Sequence, residues 1–292
     1  MYNILTLNKI AAIGTSRLGD NYKYGDDVQN PDAVLVRSAA MHDMEFADNL
    51  LAIARAGAGT NNIPKDKCSE QGIVVFNTPG ANANAVKELV IAGLLISNRK
   101  VIEGYEWAKT LKGNGAAVGK MVEKGKSQFV GPEIKGKTLG VIGLGAIGIL
   151  VANCAVALGM DVIGFDPFMS VTNALKLNPA VKLMKSGEDV MVNCDYLTIH
   201  VPLTADTKDM VDADMIAKMK DGVRILNFSR DGLVNSTAVL EAVKSGKVAK
   251  YVTDFATDDI IGEENIICLP HLGASTPESE DNCAIMACDE LK

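Results

Sequence analysis

The sequence predicts an α/β protein made of two parallel-sheet domains. Three observations predict it. Short apolar runs alternate with helical stretches through residues 1–98, and the alternation returns from residue 137 onward. Strands joined through helices must run parallel, with helices covering the sheet. The length of 292 residues suits about two domains.

In the first run, Ile4–Leu7 reads as a strand, and residues 14–31, rich in Gly, Asp and Asn, as loop or weak helix. Ala33–Val36 is a strand ending in Arg37-Ser38. Leu50–Ala54 is a strand entering the loop Gly57-Ala-Gly59-Thr-Asn-Asn62. Pro64–Glu70 suits a short helix, with Pro64 near its first turn. Ile73–Phe76 is a strand ending at Asn77. From Asn84, the residues Val86, Leu89, Val90, Leu94 and Leu95 form an apolar stripe at helical spacing. This helix is expected to continue, with a kink, past Trp107, a core or interface anchor. Residues 112–136 hold six glycines and no periodicity, and read as a loop into the next strand.

Leu139–Ile142 then reads as a buried strand, followed at once by Gly143-Leu-Gly145-Ala-Ile-Gly148 and an Ala-rich helix, Ile149–Leu158. Each glycine has a reason. Gly143 permits the tight turn, Gly145 lets a pyrophosphate approach the backbone, and Gly148 lets the helix pack on the sheet. The helix N-terminus offers unpaired N–H groups to phosphate. The following strand, Asp161–Phe165, ends in Asp166, where a ribose-binding carboxylate is expected. This is a Rossmann dinucleotide site. A carboxylate repels a 2′-phosphate, and no basic residue follows before Lys176, so the expected cofactor is NAD rather than NADP.

Beyond Asp166 the expected elements are a strand Tyr196–Val201, a helix Lys208–Met219, a strand Val223–Phe228, a helix Ser236–Lys244, strands Lys250–Asp254 and Ile266–Leu269, and a last helix Pro277–Leu291. That helix carries Thr276 as a cap, Pro277 in its first turn and acids at 278 and 280.

The net charge of −7 argues against nucleic acid or an anionic membrane as partner. No apolar run reaches the length of a membrane span, and the N-terminus lacks a signal-peptide pattern. The six cysteines are scattered without a C-x-x-C pair, so a reduced, cytoplasmic protein without a bound metal is expected.

Ligands of open parallel sheets bind at the carboxyl ends of strands. The polar residues there are Arg37, the 57–62 loop, Asn77, Asp166, His200, Arg230, Asp254 and His271. Three fit the oxidation of an alcohol by hydride transfer. His271 takes the hydroxyl proton, an acid from Asp258-Asp259 orients its ring, and Arg230 holds a substrate carboxylate. Plainer roles stand beside these. His200 either contacts cofactor or is a satisfied core histidine, His42 is exposed, Arg230 could serve a surface ion pair, and Asp258 and Asp259 could begin a surface loop. The 57–62 loop lacks a third glycine and a following acid, so it reads as backbone N–H groups facing a substrate carboxylate.

These segments together resemble the D-2-hydroxyacid dehydrogenase family: Val36-Arg-Ser38, Ile53–Ile63, Asn77–Asn82, Lys137–Gly148, His200-Val-Pro-Leu203, Asn227–Gly232 and Pro270–Thr276, in family order over nearly the whole chain. The resemblance implies a Rossmann NAD domain, residues 99–274, inserted into a flavodoxin-like substrate domain, residues 1–98 and 275–292, with the active site in the cleft. It implies Arg230 and His271 as catalytic residues. Aligned on Phe255, Asp258 takes the place of the family's Glu, one methylene shorter, with Asp259 as fallback. It implies cofactor contacts from Gly143, Gly145, Ala146, Ile147, Gly148, Asp166, His200, Val201, Pro202, Thr207, Phe228, Ser229, Arg230, Asp254, His271 and Gly273, with Phe228 and Ser229 along the nicotinamide and Asp254 on its carboxamide. It implies substrate contacts from Arg37, Ser38, Ala58, Gly59 and Asn82, with Arg37-Ser38 toward a distal phosphate. The implied substrate is a small, phosphorylated 2-hydroxy acid, 3-phospho-D-glycerate, with glycerate, hydroxypyruvate or D-lactate as runners-up. The implied assembly is a homodimer through the NAD domain. Longer family members carry a serine-sensing C-terminal domain, so serine inhibition is not expected of a chain ending at Lys292, which stops earlier than usual. Some proteins of this fold sense NAD as corepressors, a role the negative charge disfavours.

Overall fold

A computed structural model describes residues 1–292 as two compact units, residues 1–86 with 273–292 and residues 87–272.

The first unit holds β1 (Tyr2–Leu7), α1 (Ala12–Thr15), β2 (Tyr22–Gly25), β3 (Ala33–Val36), β4 (Ala52–Arg55), α2 (Lys65–Glu70) and β5 (Val74–Asn77). Its strands form one parallel sheet in the order β2-β1-β3-β4-β5, the flavodoxin-like order. All four residues of β3 are buried, as a central strand covered on both faces requires. β2 was expected as loop. Its sequence, Tyr-Lys-Tyr-Gly, is half-exposed at the sheet edge, so it carries no apolar run to betray it. The chain's last helix, Pro277–Glu290, covers this sheet. Thr276 caps it by accepting the Ser279 N–H at 3.1 Å. It buries Cys283, Ala284, Ala287 and Cys288. A Cβ on Gly14 would stand 2.5 Å from Ala284 backbone, so that glycine lets α1 lie directly on the helix.

The second unit takes most of α3 (Ala83–Asn98), then α4 (Val101–Thr110), α5 (Val118–Gly125), β6 (Thr138–Ile142), α6 (Ala146–Ala157), β7 (Asp161–Phe165), α7 (Val171–Lys176), β8 (Lys182–Leu183), α8 (Gly187–Asn193), β9 (Tyr196–Ile199), α9 (Ala213–Lys218), β10 (Val223–Asn227), α10 (Ser236–Lys244), β11 (Val248–Thr253) and β12 (Ile266–Cys268). Its sheet is parallel, in the order β12-β11-β10-β9-β6-β7-β8. The winding reverses between β6 and β9. That is the switch point where dinucleotides bind in such sheets, and Gly143 follows directly on β6.

Other stretches add detail or depart from expectation. The long helix breaks at Arg99–Lys100 into α3 and α4. The glycine-rich stretch 112–136 contains α5 between two 3-10 turns, and a Cβ on Gly125 would strike the Trp107 ring at 2.4 Å. Gly125 makes room for Trp107, which packs on Phe129 with ring centroids 5.2 Å apart. The helix expected from Lys208 starts only at Ala213, because Asp212 caps it by accepting the Met215 N–H at 2.8 Å. The interval between Asp166 and Tyr196 holds α7, β8 and α8.

Lys250 lies inside β11, its side chain 6% exposed, and its ammonium is met by Glu103 of α4 at 2.5 Å. A buried charge needs such a partner. The six cysteines are free thiols, and burial pushes Cys194 up to about 12, so it serves the core as a small apolar group. No helix is long and apolar enough to cross a membrane.

Candidate active site

The nucleotide cradle is built by close backbone approach. Gly143 has φ +88°, a left-handed conformation, and a Cβ there would meet the His200 carbonyl oxygen at 2.5 Å. A Cβ on Gly148 would stand 1.9 Å from the Gly143 carbonyl oxygen, so the first turn of α6 rests on the loop. Gly145 caps α6 and faces open space, with nothing within 4 Å of its Cβ position. Asp166 leans over the same loop. One carboxylate oxygen accepts the Leu144 N–H at 2.8 Å and the other the Phe168 N–H at 2.8 Å. Each oxygen keeps a lone pair for a hydroxyl. An empty space above a bare backbone, a helix N-terminus and an adjacent carboxylate together fit the pyrophosphate and ribose of a dinucleotide.

Beside the cradle, His200 directly follows β9. Its Nε2 lies 3.0 Å from the Thr198 hydroxyl, and its Nδ1 is buried without a hydrogen-bond partner. Burial pushes its pKa down to about 4, so the ring is neutral. The imidazole is thus a half-satisfied core histidine beside the Gly143 turn. Because the unfolded pKa is near 6.5, the unfolded chain binds more protons between pH 6.5 and 4. Stability from this group is complete at pH 7 and falls as pH drops through that window. At pH 5 the wild type is expected to lose about 2 kcal/mol more than His200→Asn does, measured by urea unfolding at pH 7.5 and pH 5.

The loop after His200 is clipped by Thr207. Its hydroxyl donates to the Pro202 carbonyl at 2.7 Å and accepts the Thr204 N–H at 2.8 Å, so Thr207 shapes the loop. Ser229 donates its hydroxyl to the Val201 carbonyl at 2.9 Å, joining this loop to the end of β10. Phe228 is 5% exposed, and its ring abuts Gly93 of α3, where a Cβ would stand 2.6 Å away. The ring is therefore core. Arg230 is exposed, with one guanidinium nitrogen on its neighbour's carbonyl at 2.6 Å. Asn227 braces that turn by donating to the Arg230 carbonyl at 2.9 Å.

His271 follows β12, its side chain 65% exposed. The carboxylate beside it is Asp254, at 3.8 Å from Nδ1 and with a side chain 1% exposed. The ring of Phe255 meets the imidazole edge-on at 5.1 Å. Asp258, the expected partner, lies exposed on the following loop, and the Asp259 carboxylate takes the Thr257 hydroxyl, which holds it below the usual carboxylate range. The structure thus brings Asp254, and neither Asp258 nor Asp259, within ion-pair distance of His271.

In the first unit, Asn8 is the residue that sequence reasoning missed. It sits at φ +71°, and its side-chain oxygen accepts the N–H groups of Arg37, Ser38 and Ala39 at 3.3, 2.9 and 2.8 Å. Arg37 itself pairs with Glu280 at 2.8 Å. In the 57–62 loop the carbonyls are drawn inward. Arg55 donates to Gly59, Asn77 donates to Ala58 at 2.6 Å, and the Thr78 N–H donates to Gly57 at 3.1 Å. The N–H groups of Ala58 and Gly59 take no protein acceptor, beside the Arg55 guanidinium. Asn82 holds a buried side-chain oxygen without a hydrogen-bond partner. The signals for Asn8, Arg55 and Asn77 were present as polar residues at strand ends.

Residues 91–273 match the family model of the D-isomer specific 2-hydroxyacid dehydrogenase NAD-binding domain. The D-3-phosphoglycerate dehydrogenase of Mycobacterium leprae is 34% identical over 99% of this chain and 56% of its own length. Those of Archaeoglobus fulgidus and Bacillus subtilis are 35% and 33% identical, each over 91% of this chain and 50% of their own. The chain thus spans about half the length of the curated relatives it matches. Among solved structures, an NADPH-dependent glyoxylate/hydroxypyruvate reductase of Sinorhizobium meliloti superposes with a TM-score of 0.83 at 20% identity, over 100% of this chain and 94% of that one. The NAD+-bound 3-phosphoglycerate dehydrogenase of Entamoeba histolytica does so at 0.75 and 24%, over 99% and 94%. Both likenesses are of fold. The reversed winding at β6, the glycine cradle and a family match over well over half of the residues lead to one conclusion: the chain belongs to the D-isomer specific 2-hydroxyacid dehydrogenases and carries their NAD-binding domain.

Proposed function

We propose that this chain oxidises 3-phospho-D-glycerate to 3-phosphohydroxypyruvate with NAD, the entry to L-serine synthesis. The observation that carries the chemistry is an exposed imidazole, His271, beside a buried carboxylate at the carboxyl ends of β11 and β12. The substrate choice is supported by the name that relatives at 33–35% identity bear. NAD, when bound, supplies the nicotinamide carbon that takes up hydride. His271 takes the hydroxyl proton as the carbonyl forms, and returns it in the reverse direction. Arg230 offers a planar fork to the substrate carboxylate. The free N–H groups of Ala58 and Gly59, with Arg55 beside them, suit a second anionic group.

Initial rates of NADH formation with 3-phosphoglycerate, D-glycerate, D-lactate and 2-hydroxyglutarate test the reading. The highest kcat/KM belongs to the phosphorylated acid, and preference for an unphosphorylated one ends the proposal. A second reading, an unphosphorylated 2-hydroxy acid such as glycerate, is favoured by the Arg37 segment. Its N–H groups are taken by Asn8 and its guanidinium by Glu280, so a phosphate must displace a carboxylate there.

Asp166 is proposed to hold the ribose hydroxyls. Asp166→Ala is expected to raise the Kd for NAD by about 10- to 100-fold, as loss of a charged hydrogen-bond partner does, while narrowing the preference over NADP. Titration by tryptophan fluorescence or calorimetry reads both, and an unchanged NAD Kd rejects this ribose site.

A further inference from the structure

We infer that the amino ends of β6, β9 and β10 form a second binding site, for a small organic acid with two anionic groups. The site stands apart from the proposed dehydrogenase chemistry and does not rest on it.

Lys137 directly precedes β6 and Gly143 directly follows it. The two lie roughly 20 Å apart along an extended strand, so no small molecule reaches from one to the other. At the Lys137 end the strands open on a cleft of about 210 Å³. Lys137, Asp195, Tyr196, Lys220, Asp221 and Arg224 line it. The charges there do not cancel. Lys220 pairs with Asp195 at 2.9 Å, and Asp195 also accepts the Thr138 N–H at 2.8 Å. Lys247 takes Asp221 at 2.7 Å. Neither Lys137 nor Arg224 has a carboxylate partner. The Arg224 guanidinium meets only the carbonyls of Ser97 and Gly222, at 3.0 and 3.5 Å. Two cations thus stand unanswered in one cleft of a protein whose net charge is −7.

Arg224 is also held in place. Its guanidinium carbon lies 5.4 Å over the Tyr196 ring. Tyr196 donates its hydroxyl to the Asn98 side chain, which in turn donates to the Pro132 carbonyl. Tyr196 and Asn98 are both buried. A planar fork fixed on a buried ring loses little freedom when it takes an oxyanion. The Lys137 ammonium is left for a second charge. The backbone donors of the floor are already used: the N–H groups of Gly222, Val223 and Arg224 go to the carbonyls of Lys247, Lys220 and Asp195 at 2.9, 3.2 and 3.1 Å. Recognition therefore falls to the two cations, which favours an acid over a neutral ligand. The volume suits about six to ten non-hydrogen atoms, since a cavity of about 150 Å³ holds benzene. A four-carbon dicarboxylate and a two-carbon phosphorylated acid share this chemistry and this size.

Calorimetric titration of the full chain with succinate, 2-phosphoglycolate and butyrate tests the site. Butyrate keeps the carbon chain of succinate with one acid removed. Both dianions are expected to bind one per chain, about tenfold or more tightly than butyrate. Lys137 is exposed, so Lys137→Ser should fold as wild type does and weaken both dianions by about tenfold. Its NADH formation without added dianion should match wild type. Arg230→Ala removes the carboxylate fork of the proposed active site and should leave both affinities within about twofold. Tighter binding of 2-phosphoglycolate than of succinate, or the reverse, supports the site equally and names its second acid group. Failure of both dianions to bind wild type overturns the site. So does equal affinity in wild type and Lys137→Ser, or binding lost in Arg230→Ala, which would place the dianion at the catalytic end of the sheet.

Discussion

Gly148→Ala is expected to lose NAD binding and to unfold the nucleotide unit early, whereas Gly145→Ala loses NAD binding alone. The two glycines stand three residues apart in one loop, yet the space around them differs completely. A methyl on Gly148 would sit 1.9 Å from the Gly143 carbonyl oxygen. The obstacle is backbone, so either α6 lifts from the sheet or the Gly143 turn opens. That turn is itself held against the His200 carbonyl, where a Cβ on Gly143 would stand 2.5 Å away, so it has little room to give. Overpacking of this kind costs about 3 kcal/mol. A domain of this size then melts roughly 5–10 °C lower. A methyl on Gly145 meets nothing within 4 Å, and the residue already has an ordinary negative φ of −78°. Its methyl enters the volume the pyrophosphate would fill, so NAD affinity falls by about 100-fold while the melting temperature holds within about 2 °C. Calorimetric melting and NAD titration of both variants separate the two. A Gly148→Ala protein as stable as wild type would show that helix and loop do not bear on each other as drawn.

That pair of glycines was legible in the sequence because spacing alone assigns them. A strand, a turn and a helix within twelve residues leave few ways to pack. The strands of both sheets were equally plain where they are buried on both faces, as in β3 and β9, since apolar runs announce them. What stayed hidden was short, polar or decided by partners distant in sequence. β2 is four residues long with no apolar run, and α5 is visible only once Trp107 is seen to pack on Gly125. Asn8 reaches the Arg37 segment across 29 to 31 positions, which no local pattern reports. The approach of Asp254 to His271 was hidden for a related reason. Alignment on Phe255 counts residues along one strand exit, but the pairing is set by how β11 and β12 lie together.

His271→Asn is expected to lower kcat by 10²–10⁴-fold, about 3–5 kcal/mol in the barrier, without changing the Kd for NAD. The fold should be indifferent. The side chain is 65% exposed and its contacts are an ion-pair distance to Asp254 and one ring edge, so the melting temperature should stay within about 2 °C. Asparagine keeps a polar group of similar reach near Asp254 but has no basic nitrogen, so the hydroxyl proton must leave to water. The residual rate should therefore climb with pH as hydroxide substitutes for imidazole. Stopped-flow formation of NADH across pH 6–10 reads this directly. A loss smaller than tenfold, with the wild-type pH profile intact, would move the base elsewhere. His200 is a poor substitute, because its Nε2 is engaged by Thr198 and burial keeps its pKa near 4, well below the range in which a general base works best. Measurable NADH formation by wild type with any 2-hydroxy acid also separates an enzyme from a protein that only senses NAD. A sensor would bind the dinucleotide equally well in wild type and variant and turn over in neither.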